Sequence, residues 1–290
     1  MKRRYKVFIS FILLISVIIT SIILESKIQY TNTEVSKSVP IYRVKREDKA
    51  VSITFDINWA EKDEIFSILD VLDKYDVKAT FFIMGGWINH SEENKEKLIK
   101  IKEGGHEIGN HSYKHPMFSN IDENRMREEL EKTDKAIKET IGVKPNLFRF
   151  PSGDYSERSV NYINNMGYKC IQWDVDSVDW KELGAEIEYN RVMKGVKSGS
   201  IMLFHNNAKY TPGNLDRIIN ELISKGYSII PVGELIYEDN YYIDIKGEQI
   251  KSIKKYWKMM LCCIIMEIYP KDLKLSLKLL RERGVSLWIT

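Results

Sequence analysis

Three of the five histidines in this 290-residue chain stand where apolar, β-forming runs end: His111, His115 and His205. His111 and His115 are spaced so that two imidazoles can approach one cation, and imidazole suits zinc and its neighbours. Asp56 closes the run VSITFD, Arg149 opens RFPSG, and Asp174, Asp176 and Asp179 gather just ahead of Trp180. A carboxylate beside an activated water is a general base, and a histidine backed by a carboxylate is a general acid. Each piece has a plainer reading. A lone His-x-x-x-His pair is commonly accidental. A strand-end aspartate such as Asp174 or Asp176 commonly caps a turn or helix, and Arg149 has the chemistry of a structural ion-pair partner. Weight comes from their order along the chain and their common placement.

That placement depends on the elements between them. Residues 51–56, 79–84, 106–109, 147–150, 168–173, 200–204 and 227–230 read as strands. Helical periodicity fits 61–76, where Ile65, Ile68, Leu69, Leu72 and Tyr75 form one stripe. It also fits 92–103, 122–140, 156–166, 185–197 and 214–225. Seven strands alternating with helices predict an α/β fold with a parallel sheet. The pattern alone does not separate an open doubly wound sheet from a barrel. In both, ligands gather at the C-terminal ends of the strands, where the histidines, Arg149 and the aspartates fall.

Thr54-Phe55-Asp56, His111 to His115, Arg149 to Gly153, Asp176 to Trp180 and Leu203-Phe204-His205 resemble the five ordered motifs of the polysaccharide deacetylases, the NodB-type family four carbohydrate esterases. The resemblance spans roughly residues 49–236. Phe55-Asp56-Ile57-Asn58-Trp59 is similar to a sporulation-associated branch of that family. It implies a distorted seven-stranded β/α barrel and an N-deacetylase acting on peptidoglycan or another N-acetylglucosamine polymer. The same resemblance implies roles. Asp56 would be the base, His205 the acid, and Arg149 the residue orienting the base. Asp176 or Asp179 would tune the acid. His111 and His115 would hold a divalent metal, zinc by preference. Trp180 and Leu203 would wall the acetyl methyl, and in the substrate-binding turn Pro151-Ser152-Gly153 the backbone N–H near Ser152 would help hold the oxyanion. Trp59, Trp87 and Trp180 are candidates for stacking on sugar, with core packing the plainer reading of each.

The match breaks at one position. In active relatives the base is followed by a second aspartate, the third metal ligand; here that position is Ile57. Catalytic zinc sites ordinarily use three protein ligands. Besides a deacetylase with an unusual metal site, the sequence leaves open a glycan-binding domain that does not cleave, and a hydrolase of another carbon–nitrogen bond.

The rest of the chain bounds the setting. With 44 basic and 41 acidic residues the net charge is +3, so nothing points to nucleic acid. Cys170, Cys262 and Cys263 make no disulfide framework, and Cys170 reads as a small core residue. Lys2, Arg3, Arg4 and Lys6 precede the charge-free stretch 7–24. As a helix it is about 27 Å long, close to a bilayer's hydrocarbon thickness, and the leading positive charges place the remainder outside. A cleaved signal peptide is the rival reading, but no Ala-x-Ala site follows, so residues 1–25 are expected to be an uncleaved single-pass anchor in the cell membrane. Residues 26–48 read as a linker, 49–240 as the main domain, and 241–290 as an extension to which no function is assigned.

Overall fold

The computed structural model describes residues 38–252. The anchor read at residues 1–25, most of the linker, and the basic and apolar segments beyond residue 252 lie outside the described residues. Among the described residues no helix is long and apolar enough to cross a membrane.

The centre of the molecule is β2 (Ala50–Ile57), with all eight residues buried. Its parallel neighbours are β3 (Thr80–Ile83) and β8 (Ile201–His205). The sheet continues through β4 (Glu107–Asn110), β5 (Leu147–Phe148) and β6 (Lys169–Cys170) on one side, and ends in β7 (Val175–Asp176) on the other. Full burial of a parallel strand requires cover on both faces. Side chains alternate across the sheet. Val51, Ile53, Phe55 and Ile57 face an outer apolar layer with Phe81, Ile83 and Phe204. Ser52, Thr54 and Asp56 take the inner face. Helices α1 (Ile65–Lys74), α2 (Glu92–Glu103), α3 (Glu123–Ile141), α5 (Ala185–Gly195) and α6 (Thr211–Ser224) contribute to the outer layer. α4 (Glu157–Asn165) packs with Phe118, Phe148 and Phe150 in a separate cluster.

The alternation predicted from sequence is present, with two differences. The seventh strand of the main sheet is β7, inside the aspartate cluster, a two-residue strand too short to leave a periodic signal. The run at 227–230 instead yields β9 (Ser228–Ile229), which pairs only with the first two residues of β2. The sheet is also not a closed ladder. β6 and β7 are its two edges, although only residues 171–174 separate them. The expected barrel is therefore a curled, open half-barrel whose edges are joined by covalent chain. A second sheet orders β1 (Arg43–Val44), β11 (Glu248–Lys251) and β10 (Tyr241–Ile243) side by side. Parts of the linker and of the extension thus pack with the main domain. At Gly199 (φ +79°) a Cβ would stand 1.7 Å from the Val44 carbonyl oxygen, so only glycine allows β1 to dock there.

Candidate active site

The register of β2 against β8 sets Asp56 beside His205, and against β3 opposite Phe82. Asp56 is 4 % exposed. One carboxylate oxygen accepts a hydrogen bond from Arg149 Nη1 at 2.9 Å; the other lies 3.5 Å from His111 Nε2. The guanidinium also donates to Thr54 Oγ1 (2.8 Å) and the Gln172 carbonyl (3.1 Å), and stacks 4.0 Å from the centre of the Phe82 ring. Burial pushes the Asp56 carboxyl up, but the charges of His111, Arg149 and His205 outweigh it and hold the group below its ordinary value. Asp56 is thus an ionised, oriented acceptor.

His111 and His115 leave β4 in a tight loop. Their ring centres are 5.0 Å apart. His111 Nδ1 lies 2.9 Å from the Arg149 carbonyl, an acceptor, so Nδ1 carries the hydrogen. Burial pushes this imidazole down to about 4, so Nε2 presents a lone pair at neutral pH. That nitrogen is buried and has no hydrogen-bond partner among the described residues. A buried orphan acceptor is costly, and a cation at Nε2 relieves the cost. The loop is held from α3: buried Glu129 accepts from the N–H groups of Tyr113 (2.8 Å) and Lys114 (2.7 Å). Asn110 accepts from Ser112 N–H at 2.8 Å.

His205 stands on the β8 side of Asp56. His205 Nδ1 lies 2.7 Å from Asp179 Oδ1, and the His205 N–H donates to Asp179 Oδ2 at 2.7 Å. Burial pulls the imidazole down, but the hydrogen bond and charge of Asp179 win and raise it. The choice left open between Asp176 and Asp179 resolves on Asp179. Asp176 instead accepts from Val178 N–H at 2.8 Å and supports its own turn. Asp174 ties β8 in place through Ile201 N–H (2.9 Å) and Ser200 (3.0 Å).

Backbone strain marks the same turns. Ser112, His115, Ser152, Val178 and Glu182 all have φ between 48° and 66°. For a β-branched residue such as Val178 this is an outlier, and strain of this kind collects at functional sites. Pro151–Gly153 forms a single 3-10 turn, in which the Gly153 and Asp154 N–H groups are used internally. The Ser152 N–H makes no such bond among the described residues.

Leu203 is buried on the inner face of β8, two residues from His205. Trp59 (48 % exposed) and Trp180 (57 % exposed) stand open to a ligand, whereas Trp87 is core at 2 %. Ile57 lies on the outer face in the apolar layer, fully buried and level with Ile83. Among the described residues no group of three or more His, Cys, Asp or Glu is arranged to hold a metal. Several supporting residues escaped the sequence reading. Glu129 and Glu188 were missed although each falls on the apolar stripe of its helix, Glu129 with Met126 and Thr133, Glu188 with Val192. An acid at a stripe position is the signal that identifies them.

A half-barrel with an ionised carboxylate, a histidine pair and a carboxylate-backed histidine at its strand ends defines the class of polysaccharide deacetylase-like proteins. The polysaccharide deacetylase family model matches residues 43–171. The chain is 31% identical over 212 residues to the peptidoglycan-N-acetylmuramic acid deacetylase PdaA of Bacillus subtilis (strain 168), covering 71% of this chain and 79% of that protein. This chain belongs to the polysaccharide deacetylase family, the CE4 carbohydrate esterases. It is also 33% identical over 199 residues to the uncharacterized protein YlxY of the same strain, covering 69% of this chain and 61% of YlxY. Among solved structures, BA3943 of Bacillus anthracis, described as a CE4 family pseudoenzyme, superimposes with a TM-score of 0.64 at 31% identity, covering 73% of this chain and 70% of that one. A mutant of it is described as having restored enzymatic activity.

Proposed function

We propose that this chain is a cell-wall N-deacetylase that hydrolyses acetamido groups of peptidoglycan or a related N-acetylglucosamine polymer. The observation that carries the reading is the pairing of an ionised Asp56 with an Asp179-backed His205 on adjacent strands. Amide hydrolysis needs a base for the attacking water and an acid for the departing amine. Asp56, fixed by Arg149, takes the proton from water. His205, kept charged by Asp179, gives one to the amine. The Ser152 N–H would receive the oxyanion, and Leu203 and Trp180 would flank the acetyl methyl. His111 Nε2 and His115 would hold a divalent cation, zinc by ligand preference. Such a cation lowers the pKa of bound water and polarises the amide carbonyl. The leading charges and apolar stretch of residues 1–24 support an anchored domain acting outside the membrane. Phe55–Trp59 supports a place in sporulation.

Ile57 favours a second reading, in which the domain binds glycan through Trp59 and Trp180 without cleaving it, in keeping with the similarity to BA3943. Acetate release from peptidoglycan and N-acetylglucosamine oligomers separates the two. The deacetylase reading expects release that rises with zinc, stops under chelation and is absent in His205→Ala. A folded chain that binds glycan but releases no acetate with any divalent metal refutes it.

A further inference from the structure

Behind the acid histidine lies a second carboxyl that the proposed chemistry does not use. Glu188, on α5, is 4 % exposed. Its Oε1 is 3.4 Å from Thr211 Oγ1, and that hydroxyl is 3.0 Å from Asp179 Oδ2. Asp179 Oδ1 in turn meets His205 Nδ1 at 2.7 Å. Thr211 and Asp179 are 0 % and 1 % exposed. A continuous buried line therefore runs from Glu188 to the imidazole.

The donor count along it is decisive. Both Asp179 oxygens are acceptors, taking His205 Nδ1–H and Trp180 N–H on one side, His205 N–H and Thr211 on the other. Thr211 has one hydrogen. While it donates to Asp179, a charged Glu188 facing its oxygen would set two lone pairs together. A protonated Glu188 makes that contact a hydrogen bond.

We propose that Glu188 is a positioning residue for the acid histidine: a protonated carboxyl that supports Asp179 through Thr211 and, once ionised, adds a negative charge that holds the proton on His205. The inference rests on the assignment of His205 as the acid. Burial, with the charge of Asp179 adding to it and Asn214 and Thr211 opposing, raises Glu188 to about 7. Arg191 is the cation that borders the same cavity. Asp179 is the charged group facing it from the 3-10 turn, and α6 presents Thr211 and Asn214. Arg217 of α6 is engaged with Glu186 at the surface, and Arg191 with the Asp176 carbonyl. Proton exchange has a route, because a cavity of about 40 Å³ lined by Val178, Asp179, Leu183, Ile187, Glu188 and Arg191 adjoins the carboxyl. That is room for a water. As pH rises and the acid histidine would lose its proton, ionisation of Glu188 resists the loss, widening the range over which His205 can act.

The test needs no catalysis. In the full chain, selectively labelled at histidine, NMR titration reads each ring, and His205→Gln identifies the His205 signal. Glu188→Gln keeps shape and hydrogen bonding but cannot ionise. It is expected to lower the His205 midpoint by roughly half a pH unit or more. Glu186→Gln, on the exposed face of the same helix, is expected to leave it unchanged. A His205 midpoint that is the same in Glu188→Gln overturns the proposal. Independently, the Glu188 carboxyl carbon in the unsubstituted chain is expected to titrate near 7, and titration in the ordinary glutamate range overturns it even if the variant fails to fold. Coupling without acetate release would refute the deacetylase reading and leave this inference standing.

Discussion

Replacing Asp56 with asparagine removes one charge of a buried pair and leaves the other behind. Arg149 is fully buried, 2.9 Å from the carboxylate, and burial already works against its charge. The asparagine oxygen still accepts a hydrogen bond, so the loss is that of charge compensation. Breaking a buried pair from one side costs about 3–5 kcal/mol; the surviving hydrogen bond places Asp56→Asn near 3. In a domain of this size that is a fall of about 6–12 °C in melting temperature. Arg149→Met retains apolar contact with Phe82 and removes the stranded cation. The double variant is therefore expected to recover about 2 kcal/mol relative to the sum of the single ones, the signature of coupling. The pH dependence has a fixed sign. The folded Asp56 value is lowered, so its stabilisation is complete above the unfolded carboxyl value of about 3.9 and is lost as pH falls through the folded value. Urea unfolding of all four proteins at pH 7, repeated towards pH 3, measures each quantity. A loss under about 1 kcal/mol for Asp56→Asn, or strict additivity in the double variant, would refute the argument that this pair is a buried, coupled unit.

Asp179→Asn keeps an acceptor oxygen but removes the charge that most strongly holds the His205 proton, leaving burial opposed by the charges of Asp56 and Asp176. Acetate release at pH 7 is expected to fall by a factor on the order of 10²–10⁴. Because the folded His205 value is raised, its stabilisation is present below about 6.5 and disappears as pH rises through the folded value; melting curves of Asp179→Asn should lack that step. His111→Ala deletes the orphan Nε2 and is expected to weaken zinc binding, measured by calorimetry, by more than about 10²-fold, while Glu129→Gln, which only loosens the loop, should weaken it about 10-fold. Ile57→Asp exchanges apolar burial for an unpaired carboxyl and is expected to destabilise by about 3–5 kcal/mol without metal; near-neutral stability would show that residue 57 is not part of the core.

The strands and helices were legible where they are long. α2 was predicted over its observed range, and α3 to within a residue at each end. β7 was not, since two residues between aspartates carry no period. β1 and β11 were not, since they pair from opposite ends of the domain sequence, and β10, three residues long, pairs only with β11. In the site, residue types at strand ends located Asp56, Arg149, His111, His115 and His205. What spacing could not decide was which aspartate meets the histidine. Asp176 and Asp179 lie on one short turn, and the left-handed backbone of Val178 between them selects Asp179. The supporting residues Glu129, Thr211 and Glu188 are remote in sequence from what they hold, and only the packed structure brings them into reach.

The costs the fold carries are unevenly distributed. Relative to apolar packing, a buried ion pair such as Asp56–Arg149 is at best neutral. An imidazole whose proton is favoured by a buried carboxylate, a second carboxyl behind it and a left-handed valine each add to the cost. Binding a glycan requires none of them, because Trp59 and Trp180 are exposed and stacking on sugar needs no buried charge. All of these expensive groups gather around Asp56 and His205, where the proposed chemistry needs a base and an acid. The cheap substitution is Ile57, which gives up a ligand and gains core packing. A scaffold that had drifted to simple binding would be expected to relax its buried charges first. This one keeps them, which favours the proposed deacetylase reading over simple glycan binding.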